Sequence, residues 1–552
     1  HYKEFRKEII YNPNKKSNPN QLDERFYGWE RGTFDALLNY DKQFDVHGLK
    51  AMAGYHLEKY NYRENQSIRK NFPTNDLDDM NAGDAATQTN SGYTRELAMI
   101  SWFARLNYDY SGKYLFEANI RADASSRFSD GNRWGYFPSF SAAWRISEEN
   151  FMESSRDWLD NLKIRTSWGL LGNQNALSDY YPWLNTYQLD GKYNFGSGLK
   201  TGYYLDSYKL STISWEKACT WGIGVDASFF NCVDLSVDFY DRKTTGIIMD
   251  VPVPKEFGLK PYKDNVGEML NRGVEVTLGY HKKWGKWTLG ATGNFAYNKN
   301  ELLDLGGVDY MVDPGDKYKR RQIGERLNSY YAYKTNGFFQ SDEEAQAWMD
   351  KYSKLPGYPF GTRKFKGGDL IYQDTDGVEG ITENDRVLLG SMDPAWTFGL
   401  NLNAGYKGWD ISMMFSGAAN VSRMFTNPGD FNGDMARPTT LWLDAWTPDN
   451  KNAEMPRVAY DKTSPSHPWN AMSDFWIQDA SYLRLQNLQV GYTFSTKCLK
   501  ALHVENLRMY YSAENLFTID NMMVNVDPES RDTNGNGYPL LQTHSIGVSL
   551  TF

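Results

Sequence analysis

No stretch of this chain approaches the roughly 18 consecutive apolar residues of a membrane-spanning helix. Its mean hydropathy of -0.66 would by itself place it among water-soluble proteins. Cysteine is scarce: Cys219, Cys232 and Cys498 make neither a disulfide framework nor a metal spacing, and read as free thiols. Basic excess is missing, for the net charge is -9, and a nucleic-acid binder would show a basic patch or stripe. The seven histidines include no His-x-x-x-His pair, and neither a Gly-x-Ser-x-Gly elbow nor a phosphate loop occurs. Nothing reads as an enzyme. At 552 residues the chain exceeds an ordinary soluble domain, yet no composition break, linker or charge block divides it, so residues 1–552 are read as one unit.

What the chain has in abundance is aromatic side chains, 15% of residues with 38 Tyr and 18 Trp, and a period of two. Its last eight residues show the pattern: Ile546, Val548, Leu550 and Phe552 fall on one side of a strand, Ser545, Gly547, Ser549 and Thr551 on the other. Trp102, Ala104, Leu106, Tyr108 and Tyr110 alternate with Phe103, Arg105, Asn107 and Asp109; beyond the turn Ser111-Gly112-Lys113, Tyr114, Phe116, Ala118, Ile120 and Ala122 alternate with Glu117, Asn119, Arg121 and Asp123. A face bearing Glu, Asn, Arg and Asp is not a protein core and must be wet. Similar spans recur at 33–40, 49–57, 140–146, 162–171, 221–229, 233–239, 274–280, 287–295, 396–406, 409–415, 483–494 and 507–516, with a short helical connection over 148–158. About 17 strands result, depending on how the first forty residues are read.

Connections alternate in length. Gly112-Lys113 and Lys407-Gly408 are tight, whereas 61–91, 172–214, 298–326 and 417–474 are long. This predicts an all-β fold, a transmembrane antiparallel β-barrel with short periplasmic turns and long extracellular loops. Such a barrel evades the hydropathy test, because only every second residue faces lipid. A series of β-sandwich domains also alternates, but would not pair long strands with a charged second face. Terminal Phe552 resembles the final aromatic of outer-membrane barrels, part of the signal read by their assembly machinery.

The segment from Arg121 to Arg145, Arg-Ala-Asp-Ala-Ser-Ser-Arg-Phe-Ser-Asp-Gly-Asn-Arg-Trp-Gly-Tyr-Phe-Pro-Ser-Phe-Ser-Ala-Ala-Trp-Arg, resembles a signature of the SusC/RagA-type TonB-dependent transporters, outer-membrane importers of Bacteroidota. Further matches follow in order: Ser167-Trp-Gly-Leu-Leu-Gly-Asn-Gln174, Asn271-Arg-Gly-Val-Glu-Val276, Asp385-Arg386 with Gly390 and Pro394, Trp446-Thr-Pro-Asp449, Ser481-Tyr-Leu-Arg-Leu-Gln-Asn-Leu488 and Glu514-Asn-Leu-Phe517. The resemblance implies a barrel of about 22 strands around a plug, preceded by a regulatory-like domain and a TonB-box segment. None of these N-terminal parts is recognisable here, and His1-Tyr2-Lys3-Glu4 reads as the interior of a longer protein. The chain is therefore expected to be the C-terminal barrel portion, a natural small barrel being the alternative. The implied partners are a SusD-like surface lipoprotein, the TonB complex acting through the missing N-terminal part, and membrane lipid. The implied cargo is an oligosaccharide or a peptide. A non-transporting barrel serving as scaffold or adhesion subunit is the reading from another class.

Two groups of residues are candidates for binding. Tyr180, Tyr181, Trp183 and Tyr187, with Trp442, Trp446 and Trp469, cluster in the long loops; aromatic faces stack on sugar rings and peptide side chains, and they also pack loops. Asp374, Asp376, Glu379 and Asp385 stand at positions 1, 3, 6 and 12 of a stretch that resembles a calcium loop. Val378 replaces the fifth-position oxygen, so a polar turn is the alternative to a structural Ca²⁺. No other cofactor is expected. A second Asp/Asn-rich stretch, Asp527 to Gly537, reads as an extended loop.

Overall fold

The computed structural model describes residues 2–6 and 19–551, apart from 195, 197, 314–315, 426–439, 460–463, 469, 495–503, 524–525 and 531–538. Phe552, Trp469, Cys498 and the stretch 532–537 thus lie outside the described residues. Sixteen strands are hydrogen-bonded in chain order in one sheet. They are β1 (Tyr2–Arg6), β2 (Gln21–Phe44), β3 (His47–Lys70), β4 (Thr89–Tyr110), β5 (Tyr114–Ser125), β6 (Trp134–Arg145), β7 (Leu159–Asn173) and β8 (Glu216–Phe229). The rest are β9 (Val233–Val251), β10 (Tyr262–Trp284), β11 (Trp287–Leu305), β12 (Trp396–Tyr406), β13 (Trp409–Ala419), β14 (Tyr482–Thr493), β15 (Asn506–Asp520) and β16 (Thr543–Thr551). By contacts the chain forms two compact units, the first comprising His1–Ala142, Ser167–Cys219 and Thr244–Gly267, the second the remainder.

In the first unit the period of two becomes two chemically distinct faces. The antiparallel registers align Leu38, Ala53, Ala104 and Ile120 in one row and Ala36, Tyr55, Trp102 and Ala122 in the next. Leu38 is 74% exposed and Trp102 57%. An apolar wall this open belongs against lipid. The other face is polar and internally paired: His56 Nδ1 lies 2.6 Å from Asp35 Oδ1, and Arg121 donates to Asp123 at 2.7 Å and to Ser101 at 3.0 Å.

The strands run longer than their alternation suggests. β2 and β3 each have 24 residues and β4 has 22, whereas about 9–11 residues cross a bilayer. The stretch 61–91 is therefore not one loop: β3 continues to Lys70 and β4 starts at Thr89. Past the lipid zone neither face needs apolar residues, so the alternation signal fades while the ladder goes on. The connection 148–158 consists of 3₁₀ turns, Ile146–Glu148 and Asn150–Ser155.

The second unit repeats the principle. Leu400 and Leu402 alternate with Asn401 and Asn403 along β12, which pairs with β11 and β13. The tight turn between β12 and β13 places Lys407 at φ 47° and Gly408 at φ 94°. Two consecutive left-handed residues form a turn whose twist suits a hairpin. Cys219 and Cys232 are free thiols.

Between β11 and β12, and between β13 and β14, the chain builds a genuine hydrophobic core. Helix α1 (Asp342–Tyr352) is capped by Ser341, whose hydroxyl accepts from the Glu344 N–H. Its Ala345 and Met349 pack with Phe339, Phe360, Phe365 and Tyr372. A second cluster joins Tyr330, Met424, Met455, Met472 and Trp476. Short strands at Ser329–Tyr333 and Arg386–Ser391 pair with each other and contribute Tyr330, Ala332 and Leu389 to it. Met424, Met455 and Met472 come from 417–474, a stretch read from sequence as one long loop, so that stretch is in part a packed subdomain.

Candidate functional site

At the end of β2, β3 and β4 away from their short turns, the polar face changes character. The registers place Tyr27, Glu64 and Tyr93 in one row, Trp29, Tyr62 and Arg95 in the next, then Arg31 with Tyr60. These positions continue the face of Asp35, His56 and Ser101, because all differ by even steps along their strands. The Tyr62 and Tyr93 hydroxyls donate to Glu64 Oε2 at 2.7 and 2.9 Å. Those bonds, Tyr62 first, hold the Glu64 carboxyl below the usual carboxylate range.

A loop residue completes the surface. Arg127, only 8% exposed, donates from Nη1 to the carbonyls of Leu177 and Asp179, both at 2.9 Å. This brings Tyr180 under two guanidiniums, with Arg127 5.0 Å and Arg95 5.6 Å from its ring centre. Arg95 also lies 4.6 Å from the centre of Tyr93. Burial lowers the Arg127 pKa from its ordinary value. The loop is pinned at two more points. Tyr181 bridges the backbone of Glu96, its hydroxyl accepting at 3.1 Å and donating at 3.3 Å, and Lys209 donates to Asp179 at 2.7 Å. Burial pushes the Asp179 carboxyl up, but Lys209 and the Tyr181 N–H outweigh it and leave the pKa lowered.

The other aromatic candidates are dispersed. Trp183 is half-buried with its Nε1 enclosed and unpartnered. Tyr187 is 63% exposed on a hairpin of Tyr187–Asn194 with Leu199–Leu205, edge-on to Tyr203 at 5.4 Å. Trp442 leans on the cluster around Trp476. Trp446 is 7% exposed, its ring covered by Gly367 and Gly368. Tyr180 and Tyr181 thus share one surface; Trp442 and Trp446 belong to the packed subdomain.

Asp374, Asp376 and Asp385 can bring one carboxylate oxygen each within 4.8 Å of one another, and Glu379 stands outside that trio. Asp385 is fully buried and accepts from the N–H groups of Thr375 at 2.6 Å, Asp376 at 3.2 Å and Thr382 at 2.7 Å. Its oxygens organise the turn. A hard cation would fit the oxygen donor set while drawing chiefly on the exposed Asp374 and Asp376.

Several acidic residues of the polar wall are taken up by cations. Asp226 faces Lys163 at 2.8 Å and Arg165 at 3.1 Å, and Asp238 faces Arg165 at 2.5 Å. Asp410 receives Arg508 at 2.5 Å. Sequence reasoning missed Tyr62, Glu64, Tyr93 and Arg95. The signal existed in the i, i+2 spacing of Tyr60-x-Tyr62-x-Glu64 and Tyr93-x-Arg95, in and just beyond the stretch 61–91 read as loop.

A family model described as TonB dependent receptor-like, beta-barrel, matches residues 2–516. The chain is 28% identical over 547 residues to TonB-dependent receptor P3 of Formosa agariphila, spanning 93% of this chain and 52% of that protein. It is 28% identical over 574 residues to TonB-dependent receptor SusC of Bacteroides thetaiotaomicron, spanning 97% and 52%. The chain thus spans about half the length of these curated relatives. The solved RagAB peptide transporter superimposes with a TM-score of 0.78 at 24% identity, over 98% of this chain and 57% of that one, a likeness of fold. With a sheet paired in chain order, one polar and one lipid-compatible face, and a family match over nearly its whole length, the chain belongs to the TonB-dependent receptor-like β-barrel family.

Proposed function

We propose that this chain is the barrel portion of a SusC-type importer in the outer membrane of a Gram-negative bacterium, its short turns periplasmic and its long loops extracellular. Cargo, an oligosaccharide or oligopeptide, is captured outside together with a SusD-like surface lipoprotein. It then passes along the polar wall when the TonB complex pulls on the plug of the longer protein. The observation that supports this reading is the continuity of one face: ion-paired and wet beside the lipid-facing wall, then aromatic and arginine-bearing where the strands outrun the membrane. Tyr180 and Tyr181 contact cargo in this reading, with Trp183 and Tyr187 at the margin. Deleting the gene should abolish uptake of the cargo, and the full-length gene should restore it only in cells with a working TonB. Equal uptake without TonB refutes the proposal.

The same reading gives Asp374 and Asp376, backed by Asp385, a structural calcium ion. Chelator should lower the melting temperature of the wild type and leave Asp374→Asn unresponsive. Identical melting with and without chelator removes the ion.

A further inference from the structure

Cations and carboxylates along the upper face of β2–β4 are not evenly matched. Asp23 is taken by Arg25 at 3.0 Å, Glu58 lies 3.9 Å from Arg31, and Asp179 is taken by Lys209 at 2.7 Å. That leaves Glu64, whose carboxylate is occupied by two tyrosine hydroxyls, beside two guanidiniums. Among the described residues neither Arg95 nor Arg127 has a carboxylate within 4 Å. Arg127 is more than nine-tenths buried, compensated by two carbonyls and a ring face, with its Nε enclosed and unpartnered. Asp179 acts on Arg127 only from a distance, so the buried cation keeps part of its desolvation cost, and an arriving anion offsets it by adding negative charge and charge-assisted hydrogen bonds to the neighbouring guanidinium fork.

The neighbouring surface is built of rings. Trp29 is 67% and Tyr93 42% exposed; Tyr62 stands opposite Trp29 in the same row and 5.8 Å from Tyr93 centre to centre. We propose that Trp29, Tyr62, Tyr93, Arg95, Arg127 and Tyr180 form a subsite for an anionic sugar unit, a uronate or a sulfated residue of an oligosaccharide. The sugar lays its C–H face on the exposed aromatic faces, and its hydroxyls reach the Glu64 carboxylate and the tyrosine hydroxyls. Its carboxylate or sulfate lies against Arg95, whose flat fork suits such groups, in the field of Arg127. A peptide of acidic residues alone would satisfy the arginines but would bring no ring or apolar side chain to this open row of aromatic faces. The subsite deepens the importer reading by naming the class of cargo.

The test measures binding by calorimetry on the full-length transporter purified in detergent, with tetragalacturonate, a sulfated galactan tetrasaccharide, neutral galactotetraose and tetraglutamate as probes. At least one anionic saccharide should bind about 10-fold or more tighter than the neutral one, a preference that weakens as salt rises. Which of the two it is identifies the anionic group. Arg95 is exposed, so Arg95→Gln should fold and remove most of the anionic saccharide's advantage over the neutral one. Trp29→Ala should weaken acidic and neutral saccharides alike. Equal binding of acidic and neutral probes, a preference that survives Arg95→Gln largely intact, or tetraglutamate binding as tightly as the saccharides each overturn the proposal. The measurement needs neither TonB nor a lipoprotein partner, so its failure removes the subsite alone, whereas TonB-independent uptake removes the importer reading.

Discussion

Gly368 holds a position that only glycine fills, and the effect of adding one methyl group there can be worked out. Its φ is +85°, and a Cβ would lie 2.5 Å from Trp446 Cε3 and 2.7 Å from Arg457 Cβ. The backbone cannot retreat, because the Gly368 N–H donates to the Phe339 carbonyl at 2.7 Å and its carbonyl accepts from the Arg457 N–H at 2.9 Å. Left-handed backbone at a residue with a Cβ costs roughly 1–2 kcal/mol, and overpacking adds roughly 1–3 kcal/mol. Gly368→Ala should therefore destabilise the packed subdomain by about 2–5 kcal/mol. Trp446→Ala, which empties a site only 7% exposed, should cost about 3–5 kcal/mol. In the double variant the ring clash disappears while the backbone strain and the Arg457 Cβ contact remain, so the two losses should fall short of additive by about 1–2 kcal/mol. Native-state proteolysis of the segment around Trp446 reads the local opening free energy in all four proteins. Losses that add to within about 0.5 kcal/mol would refute the packing argument. Wild-type stability of Trp446→Ala with weakened cargo binding would instead make Trp446 a binding residue.

Further predictions address the wall and the pinned loop. Leu400→Arg, near the middle of the lipid face, should lower folding stability in bilayers by about 2–4 kcal/mol, and Asn401→Arg on the polar face much less; equal losses would count against the assignment of faces. The Asp179 pKa is lowered in the folded state, so the stability it contributes is present above its unfolded value of about 4 and is lost as pH falls through the folded value. Protection of the amides over 177–181, taken relative to their base-catalysed intrinsic exchange at each pH, should fall in acid, and Lys209→Met should show low protection already at neutral pH. Protection that does not change with pH in the wild type would mean that the Asp179–Lys209 pair does not anchor the loop.

The alternation of residues was enough to place strands, faces and tight turns. Side-chain direction in a strand is a local property with period two, so Trp102 to Ala122 declared a lipid face and a wet face without any partner in view. Fifteen spans read this way each became a strand of the sixteen-strand sheet, and Lys407-Gly408 declared its turn because only these two residues part the alternating runs on either side. The ordered motifs from Arg121 to Phe517 carried the family. Tertiary structure alone decided the rest. Above the membrane both faces of β3 and β4 meet water, so Asn61 to Ser91 lost the pattern that would have marked it as strand. Tyr330, Met424 and Trp476 come from segments far apart in the chain, and no local period announces that they share a core or that Trp446 is sealed within one. Arg95 and Tyr180 are brought together across the sheet and the loop by Arg127 and by the bonds of Tyr181 to Glu96. The unmatched positive charge of that surface is a property of the assembled neighbourhood, because a charge is paired or unpaired only once the fold has chosen its neighbours.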